Sequence, residues 1–265
     1  MTPRIRPLHF APAAALAALL AFTAAPALAQ TTDYKPEVFQ AGKDVVWVPT
    51  ADELVGKMLD MAKVTKDDIV YDLGSGDGRT VIAAAKRGAR AYGIEYNPDL
   101  VELSKRNAAA AGVADRATFE KADIFESDYS KATVITLFLL PSLNERLRPT
   151  ILKQKPGTRV VSNTFPMGDW EPDETANVGA QDCSSWCRAL LWIVPAEVAG
   201  DWRLGNQDLK LTQQYQMLSG TLGSAAISDA KMNGTEISFT AGGTKYVGTV
   251  EGKTMKGANW SATRK

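Results

Sequence analysis

Residues 69–88 restrict the fold of this chain more than any other stretch. Ile69 to Leu73 is an apolar run of strand length, Gly74, Gly76 and Gly78 punctuate a tight loop, and the Ala-rich run from Thr80 to Arg87 reads as a helix stopped at Gly88. The result is a strand–loop–helix unit. Glycines there supply positive φ and let a ligand approach the main chain. Spacing then narrows the ligand. Counted from Gly74, the last glycine of a dinucleotide fingerprint falls on Arg79, and Asp72 would face a pyrophosphate. A phosphate-binding Walker loop fails as well, because no Gly-Lys-Ser/Thr follows. What remains is D-x-G-x-G-x-G, from Asp72 to Gly78.

Residues 1–29 read as a leader outside the fold: Arg4 and Arg6 form a positive n-region, Phe10 to about Ala25 is apolar, and Ala27-Leu28-Ala29 is an A-x-A cleavage site. The mature protein is therefore expected to be exported, periplasmic or secreted. The apolar run is short for a bilayer span and is flanked by Pro12 and Pro26, so no membrane-spanning mature form is expected. His9, the single histidine, would leave with the leader, which excludes imidazole bases, Ser-His-Asp triads and His-ligated metals. Of 30 basic and 30 acidic residues the leader holds two arginines and no acid, leaving 28 against 30, or net −2. That balance argues against a nucleic-acid partner held through phosphates.

Downstream, strands and helices alternate as in a doubly wound, mainly parallel α/β sheet. Thr31 to Val48 reads as an extended arm, and Thr50 with Glu53 forms a capping box for a helix carrying Leu54, Met58 and Met61. Ala89 to Ile94 is a second strand ending in Glu95, and Asn97-Pro98 starts a helix stopped at Gly112. Ala117 to Lys121, Thr133 to Leu140 and Gly157 to Ser162 give three more strands, the fourth nearly all apolar and hence central. Ligands of such sheets lie at the carboxyl ends of the strands. An acid ending the second strand suits a ribose diol, since a carboxylate accepts both hydroxyl hydrogen bonds.

These motifs resemble class I S-adenosylmethionine-dependent methyltransferases, a Rossmann-like family, over roughly residues 45–196. Within that class the chain is similar to the lysine methyltransferases of the ATP synthase c-subunit and the adenine nucleotide carrier. The shared words are Val48-Pro49-Thr50, Asp72 to Arg79, Gly93 to Pro98, and Val160-Val161-Ser162 with Phe165-Pro166 and Trp170. The resemblance implies S-adenosylmethionine held by Thr50, Asp72, Gly74, Ser75, Gly76, Gly78, Glu95, Asp123 and Ile124, the carboxylates favouring a sulfonium and an ammonium. It implies an acceptor amine, on a protein lysine or a small molecule, oriented by main-chain carbonyls of Leu139 or Leu140 beside an apolar entrance from Phe165 and Trp170. Here Leu139-Leu140-Pro141-Ser142 stands where many amine-modifying relatives carry Asn/Asp-Pro-Pro-aromatic. In-line methyl transfer mainly needs alignment and exclusion of water, so a site without histidine suffices.

The stretch from Asp169 to Glu174 reads as an acidic loop able to meet a basic peptide. Cys183 and Cys187 would lie ~13 Å apart in an extended strand, but a turn through Ser184-Ser185-Trp186 brings a disulfide within reach, and both states stay open. Ala189 to Val194 completes the sheet. From about Ala196, short alternating runs separated by Asn233-Gly234, Gly242-Gly243 and Glu251-Gly252 give a small antiparallel β domain. The expected domains are 1–29, 30–196 and 197–265. An exported, non-catalytic module that binds a nucleoside-type ligand or a partner protein is the alternative to a methyltransferase.

Overall fold

The α/β body runs α1 (Asp52–Met61), β1 (Ile69–Leu73), α2 (Arg79–Lys86), β2 (Arg90–Glu95), α3 (Pro98–Ala110), β3 (Ala117–Lys121), β4 (Val134–Leu137), α4 (Pro141–Ile151), β5 (Arg159–Asn163), β6 (Glu174–Asn177) and β7 (Arg188–Ile193). Its seven strands form one sheet in the order β3-β2-β1-β4-β5-β7-β6, parallel except that β7 is antiparallel to β5 and β6. Strand order reverses between β1 and β4. The crevice at their carboxyl ends is thus the place where the fold leaves room for a ligand. This architecture comes from a computed structural model that describes residues 1–3, 34–179, 181 and 183–265, with Tyr34–Lys265 forming one compact unit. The expected leader therefore lies outside the described residues. No helix among them is long and apolar enough to cross a membrane.

Each sheet face has its own core. Leu54, Met58 and Leu59 of α1, Val81 of α2 and Val101 of α3 pack with Val70, Val134 and Val161 on one face. Leu147 and Ile151 of α4 pack with Leu73, Ile135, Leu137, Val160 and Trp192 on the other. The two-residue period of a strand makes this division: Val134 points to one layer, Ile135 and Leu137 to the other or to its rim. Asn97 caps α3 as its sequence implies, accepting from the N–H groups of Asp99 and Leu100. Thr50 does not cap α1. Ala51 is the N-cap, and the Thr50 hydroxyl instead accepts from Asn163 Nδ2 at 3.3 Å.

Two expectations about the sheet need correction. The fourth strand stops at Leu137, because Leu140 already accepts from Leu143 and Asn144 as the first carbonyl of α4. The acidic loop is no free loop either. Asp169 accepts from the Tyr215 hydroxyl at 2.8 Å, Asp173 accepts from the Ile193 N–H at 2.8 Å, and Glu174 opens the edge strand β6.

Beyond the sheet, β8 (Gly200–Leu204), β9 (Gln207–Gln214), β10 (Met217–Leu222), β11 (Ala225–Asn233), β12 (Glu236–Ala241), β13 (Thr244–Glu251), β14 (Thr254–Gly257) and β15 (Ser261–Arg264) close into an antiparallel barrel. Closure removes free edges. Its interior holds Trp202, Leu209, Met232, Ile237, Phe239 and Met255, packed as a core of their own. The barrel has two strands more than the six alternating runs that the sequence shows between Asp208 and Ala262: β8 lies before them, and the last run, Met255 to Ala262, spans parts of two strands joined by a turn.

Trp170 anchors the barrel to the sheet. Its ring is fully buried, its Nε1 donates to Gln216 Oε1 at 2.8 Å, Tyr215 stacks on it at 5.7 Å, and its carbonyl accepts from Trp192 Nε1 at 2.7 Å. Burial of an indole is favourable only with a partner for its N–H, and the barrel supplies one.

Candidate functional site

Gly74, Gly76 and Gly78 have φ of 86°, 54° and 82°, left-handed values that other residues adopt only at a cost. A Cβ on Gly76 would stand 2.7 Å from Trp47 Nε1, and one on Gly78 would stand 2.8 Å from the Phe119 ring. The loop is braced from several elements. Main-chain N–H groups of Gly74 and Ser75 donate to the Ile94 carbonyl, Ser104 Oγ donates to Gly76 O at 2.9 Å, and Asn107 Nδ2 donates to Asp77 O at 2.9 Å. Arg79 forks onto Asp77 and reaches the Thr50 carbonyl at 2.8 Å. These bonds hold the loop in shape before any ligand arrives.

The three acids that the sequence singles out, Asp72, Glu95 and Asp123, line one cleft of about 540 Å³ beside this loop, a volume within the range of small-molecule sites. Asp72 pairs across the sheet with Thr136, whose hydroxyl donates to its Oδ1 at 2.6 Å. Burial, which the Thr136 bond only partly offsets, pushes its carboxyl up to about 7, with the charges of Glu95 and Asp77 adding to the shift. Glu95 ends β2 and accepts from the N–H groups of Gly76 and Asn97, both at 2.9 Å. Burial raises its pKa, against those main-chain hydrogen bonds. Asp123 is more open: the Lys43 ammonium on Oδ2 holds it below the usual carboxylate range, together with the Phe125 N–H on Oδ1.

The N-terminal arm roofs the cleft. Residues 39–49 line it, Trp47 lies against the Gly76 main chain, and Lys43 joins Asp123 while standing 4.8 Å over the Tyr96 ring. At the other end, past β4, Phe138 stacks on Phe165 at 6.0 Å and meets Trp186 edge-on at 6.1 Å, and Phe39 of the arm meets Trp186 at 6.4 Å. Together these rings form an apolar mouth.

Of the residues singled out in the sequence, Thr50, Asp72, Gly74, Ser75, Gly76, Glu95, Asp123, Ile124, Leu139, Leu140 and Phe165 line this cleft. Gly78 closes the loop behind it. Trp170 is not in the lining; it sits in the core beneath the barrel, so it forms no entrance. Leu140 is exposed at the rim, but its carbonyl already takes two donors and has no lone pair left for an amine. Among the described residues no donor meets the Leu139 carbonyl. Sequence reasoning missed Phe39, Lys43, Trp47, Phe138 and Trp186. Only Trp47 and Phe138 carried a signal, inside the apolar runs Val45 to Val48 and Thr133 to Leu140.

A nucleoside carrying a sulfonium fits what is present. The glycine loop is a cradle that Cβ atoms would fill, the buried Ser75 hydroxyl has no partner among the described residues, and Asp72, Glu95 and Asp123 offer acceptors to cations, hydroxyls and amino groups. Fold and site together define a class I S-adenosylmethionine-dependent methyltransferase. Residues 72–174 match the family of the ANTKMT methyltransferase domain. A protein-lysine N-methyltransferase of Saccharolobus islandicus is 47% identical over 137 residues, 51% of this chain and 85% of that protein. The ATP synthase c-subunit lysine N-methyltransferase of Mus musculus is 36% identical over 134 residues, and the chain spans 54% of its length. A solved structure described as an RNA methyltransferase from Salinibacter ruber with S-adenosyl-L-homocysteine is 49% identical with a TM-score of 0.53, covering 57% of this chain and 96% of that one. The chain belongs to this methyltransferase family, and S-adenosylmethionine is its cofactor.

Proposed function

We propose that the protein methylates the side-chain amine of a lysine in another protein. The observation that carries this reading is the form of the cleft: a carboxylate-rich cofactor end that opens, past the end of β4, on the aromatic mouth. Asp72 and the glycine loop would hold the cofactor's methionine end, Glu95 its ribose, and Asp123 with Ile124 its adenine. When bound, the cofactor supplies an electrophilic methyl group on a sulfonium. Phe138, Phe165 and Trp186 would exclude water and favour the neutral amine over its ammonium. The Leu139 carbonyl would accept one amine N–H and aim the nitrogen lone pair at the methyl group. The nitrogen would gain the methyl group as that group's bond to sulfur breaks, with S-adenosylhomocysteine leaving, and the methylated ammonium would then lose one proton to solvent.

The Salinibacter relative's description raises an RNA acceptor as a second reading. The lining favours an amine: Asp44, Asp72, Asp77, Glu95 and Asp123 stand against Lys43 and Arg79, a poor surface for phosphates. Export remains part of the proposal, supported by the composition of residues 1–29 and by the Cys183–Cys187 bridge, since disulfides persist in oxidising compartments. The mass of the protein purified from its host would test it, with cleavage after Ala29 expected. Function is tested by titrating S-adenosylmethionine and S-adenosylhomocysteine into the parent, Asp72→Ala and Glu95→Ala proteins. Micromolar binding, lost by at least ten-fold in both variants, is expected. Binding equal in all three would refute the site.

A further inference from the structure

Trp186 lies inside the five-residue loop closed by Cys183 and Cys187, with Cα atoms 5.6 Å apart. Its φ is 54°, a conformation that a bulky residue avoids unless its surroundings impose it. Several bonds impose it here. Cys187 is fixed to the end of β6 by the Val178 N–H, at 2.9 Å, and Arg188 opens β7. Phe165, meanwhile, follows Thr164, another left-handed residue with φ of 58°. The two turns are tied together: the Thr164 N–H donates to Arg188 O at 2.6 Å, and the Arg188 guanidinium donates to Thr164 O at 3.0 Å. Trp186 and Phe165 are thus delivered as one unit, from two strained turns, to Phe138, Phe165 stacked on its ring and Trp186 meeting it edge-on. A tryptophan left 36% exposed at such a junction is placed for contact with something besides its neighbours.

We propose that the Cys183–Cys187 bridge sets Trp186 as the outer wall of the acceptor site, a specificity-determining residue that selects an unbranched, apolar-stemmed amine. The inference rests on the lysine reading above and adds to it the residue that admits the substrate. The physical reason is the shape of the wall. Four methylenes of a lysine pack along aromatic faces without desolvating a charge, while a guanidinium or a branched chain brings polar or bulky groups against them. Without the bridge, the 184–186 turn gains backbone freedom, and the indole loses its fixed angle to Phe138.

The test uses the full chain with 5-fluorotryptophan at all six tryptophans, Trp186 being assigned by its absence in Trp186→Phe. Nα-acetyl-lysine N-methylamide is titrated into protein saturated with S-adenosylhomocysteine, with the norleucine and arginine counterparts as controls. The Trp186 fluorine resonance is expected to move with the lysine probe and at least three-fold less with the arginine one. In Cys183→Ser/Cys187→Ser the apparent affinity for the lysine probe should weaken at least ten-fold, with affinity for S-adenosylhomocysteine within two-fold of the parent. A resonance indifferent to the lysine probe in cofactor-loaded protein overturns the inference, as does a double variant that binds the probe like the parent. Failure to bind S-adenosylhomocysteine at all would instead overturn the functional reading on which it rests.

Discussion

Asp72 sets stability against function, and replacing it with asparagine separates the two. Its carboxyl is almost wholly enclosed, and its pKa of about 7 lies some three units above the ordinary 3.8. A group whose folded pKa is raised binds its proton more tightly in the fold than in the unfolded chain. Its contribution to stability is complete below about 3.8 and is lost as pH rises to about 7. At about 1.36 kcal/mol per unit, holding Asp72 ionised in the fold costs roughly 4 kcal/mol above pH 7. Asp72→Asn removes that cost, keeps an oxygen for the Thr136 hydroxyl, and leaves an amide N–H₂ short of acceptors, which takes back about 1–3 kcal/mol. Urea unfolding at pH 8.5 should therefore find the ligand-free variant about 1–3 kcal/mol more stable than the parent. At pH 5.5, about 1.7 units above the unfolded value, the parent's cost falls to roughly 2 kcal/mol, which the unsatisfied amide offsets, so the advantage should fall to about zero. Affinity for S-adenosylmethionine should move the other way, at least ten-fold weaker at pH 8.5 and nearly equal to the parent's at pH 5.5. A variant less stable than the parent at pH 8.5, or shifted equally at both pH values, would refute the reasoning.

Other substitutions probe other links. Trp170→Ala empties the contact between sheet and barrel and should cost about 3–5 kcal/mol by urea unfolding, with affinity for S-adenosylhomocysteine kept in the folded fraction; loss of affinity without loss of stability would return Trp170 to the site. Gly76→Ala meets both a positive φ and the Trp47 ring, so calorimetry should find S-adenosylhomocysteine binding at least ten-fold weaker, and unchanged binding would show the arm to be displaced at no cost. Lys43→Ala frees Asp123 for the adenine amino group and should tighten S-adenosylhomocysteine about two- to five-fold at low salt, an effect lost as salt rises; weaker binding would instead make Lys43 a clasp on the ligand.

The sequence determined whatever depends on neighbours along the chain. The strand–loop–helix around Asp72 to Gly78, the acid ending β2, the Asn97-Pro98 cap and the alternation of strands and helices are local patterns of hydrogen bonding and side-chain period. They sufficed for the α/β sheet and for the carboxylate end of the cleft. Tertiary structure decided which aromatic residues face substrate and which bind the molecule together. Trp170 and Trp186 look alike in sequence, each directly preceded by a polar residue. Yet one is buried because Gln216, 46 positions away, meets its N–H, and the other stays exposed because a disulfide and the Thr164–Arg188 bonds turn it outward. The fate of a side chain follows from partners that folding brings from far along the chain. Period and spacing carry no record of that pairing.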